Sequence, residues 1–283
     1  MRRFSLTRRD GAPLAGYQGG TTGPTLVLAN GLGGPVSAFR HQLAHFQDRY
    51  RILTWDYRGL YGSSSAEPPV RVDIAAQADD LEDLLAAASV ERAIFVGWSM
   101  GVQVVLELCA RRPDVASELV LINGTYRQPF SSLRLPGSDL FLPGLVERAR
   151  EHHELGERFL RRIARSRRAA QWVRRLRLVS PALPTDELLD LASEFESIDL
   201  EVYLRTLGEL HRHDASRGLG GLDARALVVT GARDPLFSPR VARDLAGRLR
   251  RAELYVVPKA THYAPVEFPR LLNDRIDRFL SGR

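Results

Sequence analysis

The chain has 283 residues, 44% of them hydrophobic and 26% charged, which is ordinary for a folded protein with one sizeable core and room for an inserted subdomain. Its net charge of +6 rests on 40 basic residues of which only Lys259 is a lysine; no nucleic-acid motif accompanies this arginine bias, so no nucleic-acid partner is expected, and no apolar run approaches the ~20 residues that stable membrane insertion needs. The single cysteine, Cys109, excludes an internal disulfide, and the basic start of the chain runs into Asp10-Gly11-Ala12-Pro13 rather than an apolar signal segment, so a cytoplasmic protein is expected.

Thr25 to Ala29 is a short apolar run stopped by Asn30-Gly31, as a buried parallel strand would be. Arg51 to Trp55, Ala93 to Val96 and Leu119 to Ile122 read the same way. Between them, Val72 to Ala88 places Ile74, Ala78, Leu81, Leu84 and Leu85 on one helical face and Asp79, Asp80, Glu82 and Asp83 on the other. Short connections between alternating strands and helices predict a doubly wound, mostly parallel α/β sheet. The rhythm stops near Phe130, and 131–216 shows helical periodicity punctuated by Pro136, Pro143, Pro181 and Pro184. It resumes with a strand over Ala226 to Thr230, a helix over Pro239 to Leu249, a strand over Glu253 to Val257 and a last amphipathic helix from Glu267 to Leu280. The economical reading is one α/β core, 1–130 and 217–283, interrupted by a helical cap over 131–216.

Gly97-Trp98-Ser99-Met100-Gly101 fits G-x-S-x-G, directly after a strand and at the start of a helical run from Val102 to Ala110. In that setting a sharp turn lifts a serine hydroxyl above the sheet as a nucleophile. A serine needs a base, and the base an orienting acid, in the chain order serine, acid, histidine that goes with this elbow. Of seven histidines, His262 alone follows a plausible acid late in the sheet; His41 and His45 fall in an early helix and His152, His153, His211 and His213 in the cap. Asp234, just beyond a strand end, is the acid. Asn123 ends the preceding strand with an uncharged amide, and Asp223 precedes its strand at the wrong end of the sheet. The loop Asn30-Gly31-Leu32-Gly33-Gly34-Pro35 lets the backbone turn, so the N–H groups of Leu32 and Met100 are the expected oxyanion donors. No lysine follows those glycines, so the loop is not a phosphate cradle. Asn30 and Trp98 are candidate pocket residues, and the chemistry calls for no metal or organic cofactor.

With these motifs in this order, the chain resembles the α/β-hydrolase superfamily over its whole length. Asn30 stands where many members have histidine before the glycine, which is similar to enol-lactonases of aromatic catabolism. Asp56-Tyr57-Arg58-Gly59-Leu60-Tyr61-Gly62-Ser63-Ser64 resembles the family's D-x-R-G-x-G-x-S stretch with one extra residue in a pocket-lining loop. Thr261 to Glu267 resembles the histidine loop, with Glu267 opening the last helix. Serine rather than aspartate at the elbow points away from dehalogenases and epoxide hydrolases, and the Gly-Gly-Ser-Trp-Gly elbow of proline iminopeptidases is absent.

The resemblance implies a serine hydrolase cleaving a small or medium carboxylic ester, or a lactone, through an acyl-enzyme. Alternatives on the same machinery are a thioesterase or esterase acting on a carrier-linked acyl group and a carbon–carbon bond hydrolase; a non-catalytic ligand receptor is the alternative from another class. The cap holds nine arginines and no acid between Arg158 and Arg177, then seven acids and no base between Asp186 and Glu201. Pairing of the two segments with each other is the favoured reading, and a docking face for an acidic carrier protein or an anionic membrane surface is the alternative.

Overall fold

Leu26 and Leu28 of one strand are buried with one apolar cluster, Val27 and Ala29 with another. That alternation, repeated in neighbouring strands, is what a sheet covered by helices on both faces requires. A computed structural model describes residues 1–65, 69, 71–132 and 137–282. Its eight strands are β1 (Arg2–Thr7), β2 (Pro13–Gly19), β3 (Thr25–Ala29), β4 (Arg51–Trp55), β5 (Ala93–Trp98), β6 (Ala116–Ile122), β7 (Arg225–Gly231) and β8 (Ala252–Val257). They form one sheet in the order β1-β2-β4-β3-β5-β6-β7-β8. Both pairings of β2 are antiparallel and all the others parallel.

On one face lie α2 (Ile74–Ala87), α3 (Met100–Arg111) and α9 (Pro239–Arg248), through Leu81, Leu84, Val105, Leu108 and Leu245. The other face carries α1 (Arg40–Phe46), the short α10 (Ala264–Glu267) and α11 (Pro269–Leu280), through Phe46, Ala264, Leu272, Ile276 and Phe279. Six strands and the helices between them fall where the apolar periodicity puts them. The β1–β2 hairpin does not follow from that periodicity, since its half-exposed strands carry no apolar run. Asp10-Gly11 turns it, with Gly11 at φ +86° and Asp10 Oδ1 accepting from the Ala12 N–H at 3.1 Å. Its arginines then meet the acidic face of α2, Arg9 on Asp79, Glu82 and Asp83, and Arg8 within 3.7 Å of Asp80.

Between β6 and β7 the chain makes α4 (Ser138–Glu151), α5 (His153–Ile163), α6 (Arg167–Arg175), α7 (Thr185–Phe195) and α8 (Leu200–Arg212). Pro184 caps α7 and Pro181 precedes it, but Pro143 lies inside α4, and Pro136 falls outside the described residues. Two layers result. α8 buries Val202 and Leu210 in the core and Leu200 beside Gly156 of α5, whereas α4 buries only Ser138, α6 only Ala170, and α5 no residue. Among the described residues no helix is long and apolar enough to cross a membrane.

Candidate active site

β5 ends at Trp98 and α3 begins at Met100, so Ser99 alone makes the turn, at φ +57° and ψ −116°. A β-carbon-bearing residue in that region is strained and persists because its surroundings over-determine it. Here the Ser99 N–H donates to the Ile122 carbonyl at 2.9 Å. The flanking glycines are steric necessities: a Cβ at Gly97 would come within 2.7 Å of the Gly101 oxygen, and one at Gly101 within 2.1 Å of the Ala29 oxygen.

The structure brings the three expected residues together from three separate strand ends. His262 Nε2 lies 3.0 Å from Ser99 Oγ, and its Nδ1 lies 3.0 Å from Asp234 Oδ2. The Asp234 side chain is fully buried; its Oδ1 accepts from the Leu236 and Phe237 N–H groups at 2.7 and 2.9 Å. These contacts fix the carboxylate so that Nδ1 carries the hydrogen and Nε2 is left as the acceptor facing the serine.

The glycine loop passes directly beside Ser99, since a Cβ at Gly31 would stand 3.3 Å from Ser99 Cβ. Among the described residues neither the Leu32 nor the Met100 N–H has a hydrogen-bond acceptor. Met100 is the first residue of α3, where an amide has no intrahelical partner and the helix end favours negative charge. The two expected donors are therefore without acceptors, one in the loop that passes Ser99 and the other directly after it.

Asn30 and Trp98 do not serve as pocket wall, the role expected of them. The Asn30 side chain is folded into its own loop: Nδ2 donates to the Gly34 and Pro35 carbonyls at 2.9 and 2.6 Å, and Oδ1 accepts from the Gly31 N–H at 2.9 Å. Every hydrogen-bonding position on the Asn30 amide that a substrate could take is already filled within the loop, apart from a lone pair. Trp98 is buried, and its indole N–H donates to the His262 carbonyl at 3.0 Å. The Asp56–Ser64 stretch likewise buttresses the loop. Tyr57 Oη donates to the Asn30 carbonyl and Tyr61 Oη to the Gly33 carbonyl, each at 2.6 Å.

Two further side chains take part in ways their expected places did not indicate. Asn123, considered only as a poor substitute for an acid, donates from Nδ2 to Asp234 Oδ2 at 2.6 Å. Glu267 does not open the last helix; it closes α10, buried, and its Oε2 accepts from the Thr261 N–H at 2.7 Å. Its Oε1 accepts from the Thr261 hydroxyl and the Ser180 N–H, both at 2.6 Å. It thereby joins the residue before His262 to the segment between α6 and α7.

The wall facing the glycine loop comes from the helical insertion. A Cβ at Gly33 would meet Phe195 at 2.6 Å and Tyr203 at 2.8 Å. Burial pushes the Tyr203 phenol up to about 12, with Tyr263 contributing, and it also raises Tyr263. Tyr263 nevertheless keeps 37% of its surface accessible. Its ring stands 5.8 Å from the His262 ring and 5.9 Å from the Trp98 ring, centroid to centroid. A separate cleft of about 400 Å³ lies among the start of α2, α4 and α8. None of Ser99, Asp234 and His262 lines it, and its Arg71, Arg150 and Arg212 are paired with Asp73, Glu147 and Glu209.

The comparisons with known proteins agree with this fold. The curated protein "Putative carbamate hydrolase RutD" of Caulobacter vibrioides is 28% identical over 283 residues, covering 100% of both chains. Its namesake from Agrobacterium fabrum is 27% identical over 270 residues, 91% of this chain and 93% of the relative. The crystal structure of the enol-lactonase from Burkholderia xenovorans LB400 superposes with a TM-score of 0.77 at 23% identity, covering 98% of this chain and 99% of that one, a likeness of fold. The profile of the alpha/beta hydrolase fold matches residues 24–269, and the chain belongs to that family.

Proposed function

We propose that the chain is a serine hydrolase cleaving a small or medium carboxylic ester, or a lactone, through an acyl-enzyme. The observation that carries this reading is the unbroken line Ser99 Oγ, His262 and Asp234, at 3.0 Å and 3.0 Å, beside two amides without acceptors. Ser99 Oγ attacks the carbonyl carbon as His262 Nε2 takes its proton, and Asp234 stabilises the imidazolium that forms. The Leu32 and Met100 N–H groups hold the oxyanion, and removal of one such donor typically costs about 3 to 4 kcal/mol of transition-state stabilisation. The imidazolium then protonates the leaving alcohol, and a water activated by the same histidine releases the acid. These steps need no metal or organic cofactor. The insertion, 131–216, acts as a cap whose Phe195 and Tyr203 wall the acyl site.

A fluorophosphonate probe and a p-nitrophenyl ester series of rising acyl length test the reading. Labelling and turnover are expected in the native protein and absent from Ser99→Ala; labelling that persists in the variant overturns it.

A second reading, a carbamate as substrate, is favoured by the name of the two curated relatives. The same serine would then be carbamoylated, and nitrogen conjugation would make that carbonyl the less reactive. A higher kcat/KM for an N-unsubstituted carbamate than for the acetate ester of the same alcohol would select it.

A further inference from the structure

Eight of the twelve exposed large apolar side chains among the described residues lie between Leu140 and Leu178, within or just after α4, α5 and α6. On α5, Leu155, Arg158, Phe159 and Arg162 fall at i, i+3, i+4 and i+7, and all are exposed. On α6 and its C-cap, Arg168, Trp172, Arg175 and Leu176 fall at i, i+4, i+7 and i+8, again on one face and all exposed. Apolar and cationic side chains thus share one face of each helix instead of dividing between core and solvent. Phe159, Trp172 and Leu176 keep 61%, 60% and 65% of their surface accessible.

The charge is not neutralised from within. Pairing of the arginine-rich and acidic segments with each other, the favoured expectation, accounts for Arg165 with Glu196 and Arg167 with Asp186. The other acids are engaged elsewhere: Glu187 and Asp190 by Arg40, Glu194 by Ser37, Glu201 by Arg150, and Asp199 as the cap of α8. Arg158, Arg162, Arg168, Arg175 and Arg177 have no carboxylate partner among the described residues, and Arg175 instead lies over the Trp172 ring at 5.8 Å.

We propose that the α5–α6 face of the insertion docks on an anionic lipid surface, as a peripheral contact without spanning. Interleaved arginines and tryptophan, phenylalanine and leucine are complementary to a plane of negative headgroups over an apolar interior. A second copy of this chain is a poor occupant, because a symmetric contact would set arginine against arginine. An acidic protein would answer the charge but would also need pockets for three large, separately exposed side chains.

The protein contains its own reporter. Of its three tryptophans, Trp55 and Trp98 are 3% and 4% exposed, so a change in emission on contact reads Trp172. With phosphatidylglycerol vesicles, a blue shift and co-sedimentation are expected, and with phosphatidylcholine vesicles neither. Binding should weaken at least about tenfold between low and moderate salt, as it does for exposed arginines on charged surfaces. Phe159→Ser with Leu176→Ser keeps the reporter and should abolish the blue shift. Arg162→Glu with Arg168→Glu should abolish sedimentation. Both variants should keep the parent's thermal transition; one that fails to fold is replaced by its single substitutions. No shift with phosphatidylglycerol, equal binding to both lipids, or unchanged binding by both variants overturns the proposal. So does polyglutamate that binds as tightly as the vesicles, which would assign the face to an acidic protein. None of these readouts requires turnover, so they stand apart from the fate of the ester-hydrolase reading.

Discussion

Asn123 Nδ2 and His262 Nδ1 meet the same oxygen of Asp234, at 2.6 and 3.0 Å. Asn123 stands one residue past β6, at φ +45°, its N–H donating to the Val229 carbonyl at 2.8 Å. An amide there supplies a hydrogen to a carboxylate that no water reaches. Asn123→Ala should therefore lower kcat about ten- to a hundredfold with KM little changed, the range expected for one hydrogen bond to a charged group. Steady-state kinetics on a p-nitrophenyl ester checks this; a change confined to KM would place Asn123 outside proton transfer.

The three residues of the line should behave as one unit. Ser99→Ala and His262→Ala should each lower kcat by at least about a thousandfold, and the double variant should be no slower than either alone. Additive losses in that cycle would mean that the two side chains do not act on a common step.

Glu267 ties the histidine loop to the insertion, so its loss should be felt on both sides. Glu267→Ala leaves the Thr261 and Ser180 amides without their acceptor in a buried place, at a cost of about 2 kcal/mol or more. We expect a lower unfolding midpoint in urea together with faster tryptic cleavage at Arg177, close to the loosened segment. Unchanged cleavage would show that the segment is held by Val179, Leu183 and Val266 alone.

The Arg58–Asp80 pair is nearly sealed from solvent, with contacts of 2.5 and 2.8 Å. Burial raises the Asp80 carboxyl, with Arg58 the chief opposing influence. Arg58→Met should cost about 3 to 5 kcal/mol, because it strands a buried carboxylate. Urea titration measures it, and a loss below about 1 kcal/mol would show that Arg8 suffices as partner.

Acid stability has a local component on α3. The hydrogen bond from His213, with Arg111 assisting, holds the Glu107 carboxyl down to about 2 from an ordinary 4.5. A carboxyl depressed on folding stabilises above its unfolded pKa, and that contribution fades as pH falls through the folded one. Glu107→Gln should lower the melting temperature at pH 7, and the gap to the parent should close between pH 4.5 and about 2. Melting curves across that range test the sign.

The parallel core was legible because strands buried on both faces are short apolar runs, and Thr25–Ala29 and Arg51–Trp55 fall at their expected bounds. Ser99, Asp234 and His262 were legible because the chemistry restricts each to a strand end and the fold orders them along the chain. The hairpin is masked in the sequence because β1 and β2 carry no continuous apolar run, although Asp10-Gly11 is a turn signal. Asn123 and Glu267 had no such signal. Their roles arise from contacts across 111 and 87 residues of chain, which no local pattern encodes. Asn30 shows the converse: its place beside the glycines suggested a substrate contact, whereas its side chain shapes the loop.

Trp98 has a consequence for how the site withstands movement. The indole that holds the His262 carbonyl belongs to the residue bonded directly to Ser99. Ser99 and His262 thus share one mounting, and a shear of the sheet that carries the serine carries the histidine with it. The indole is the inner of two ties on the histidine loop; the outer one, Glu267, reaches the insertion, so a movement there is resisted by the strand end that carries Ser99.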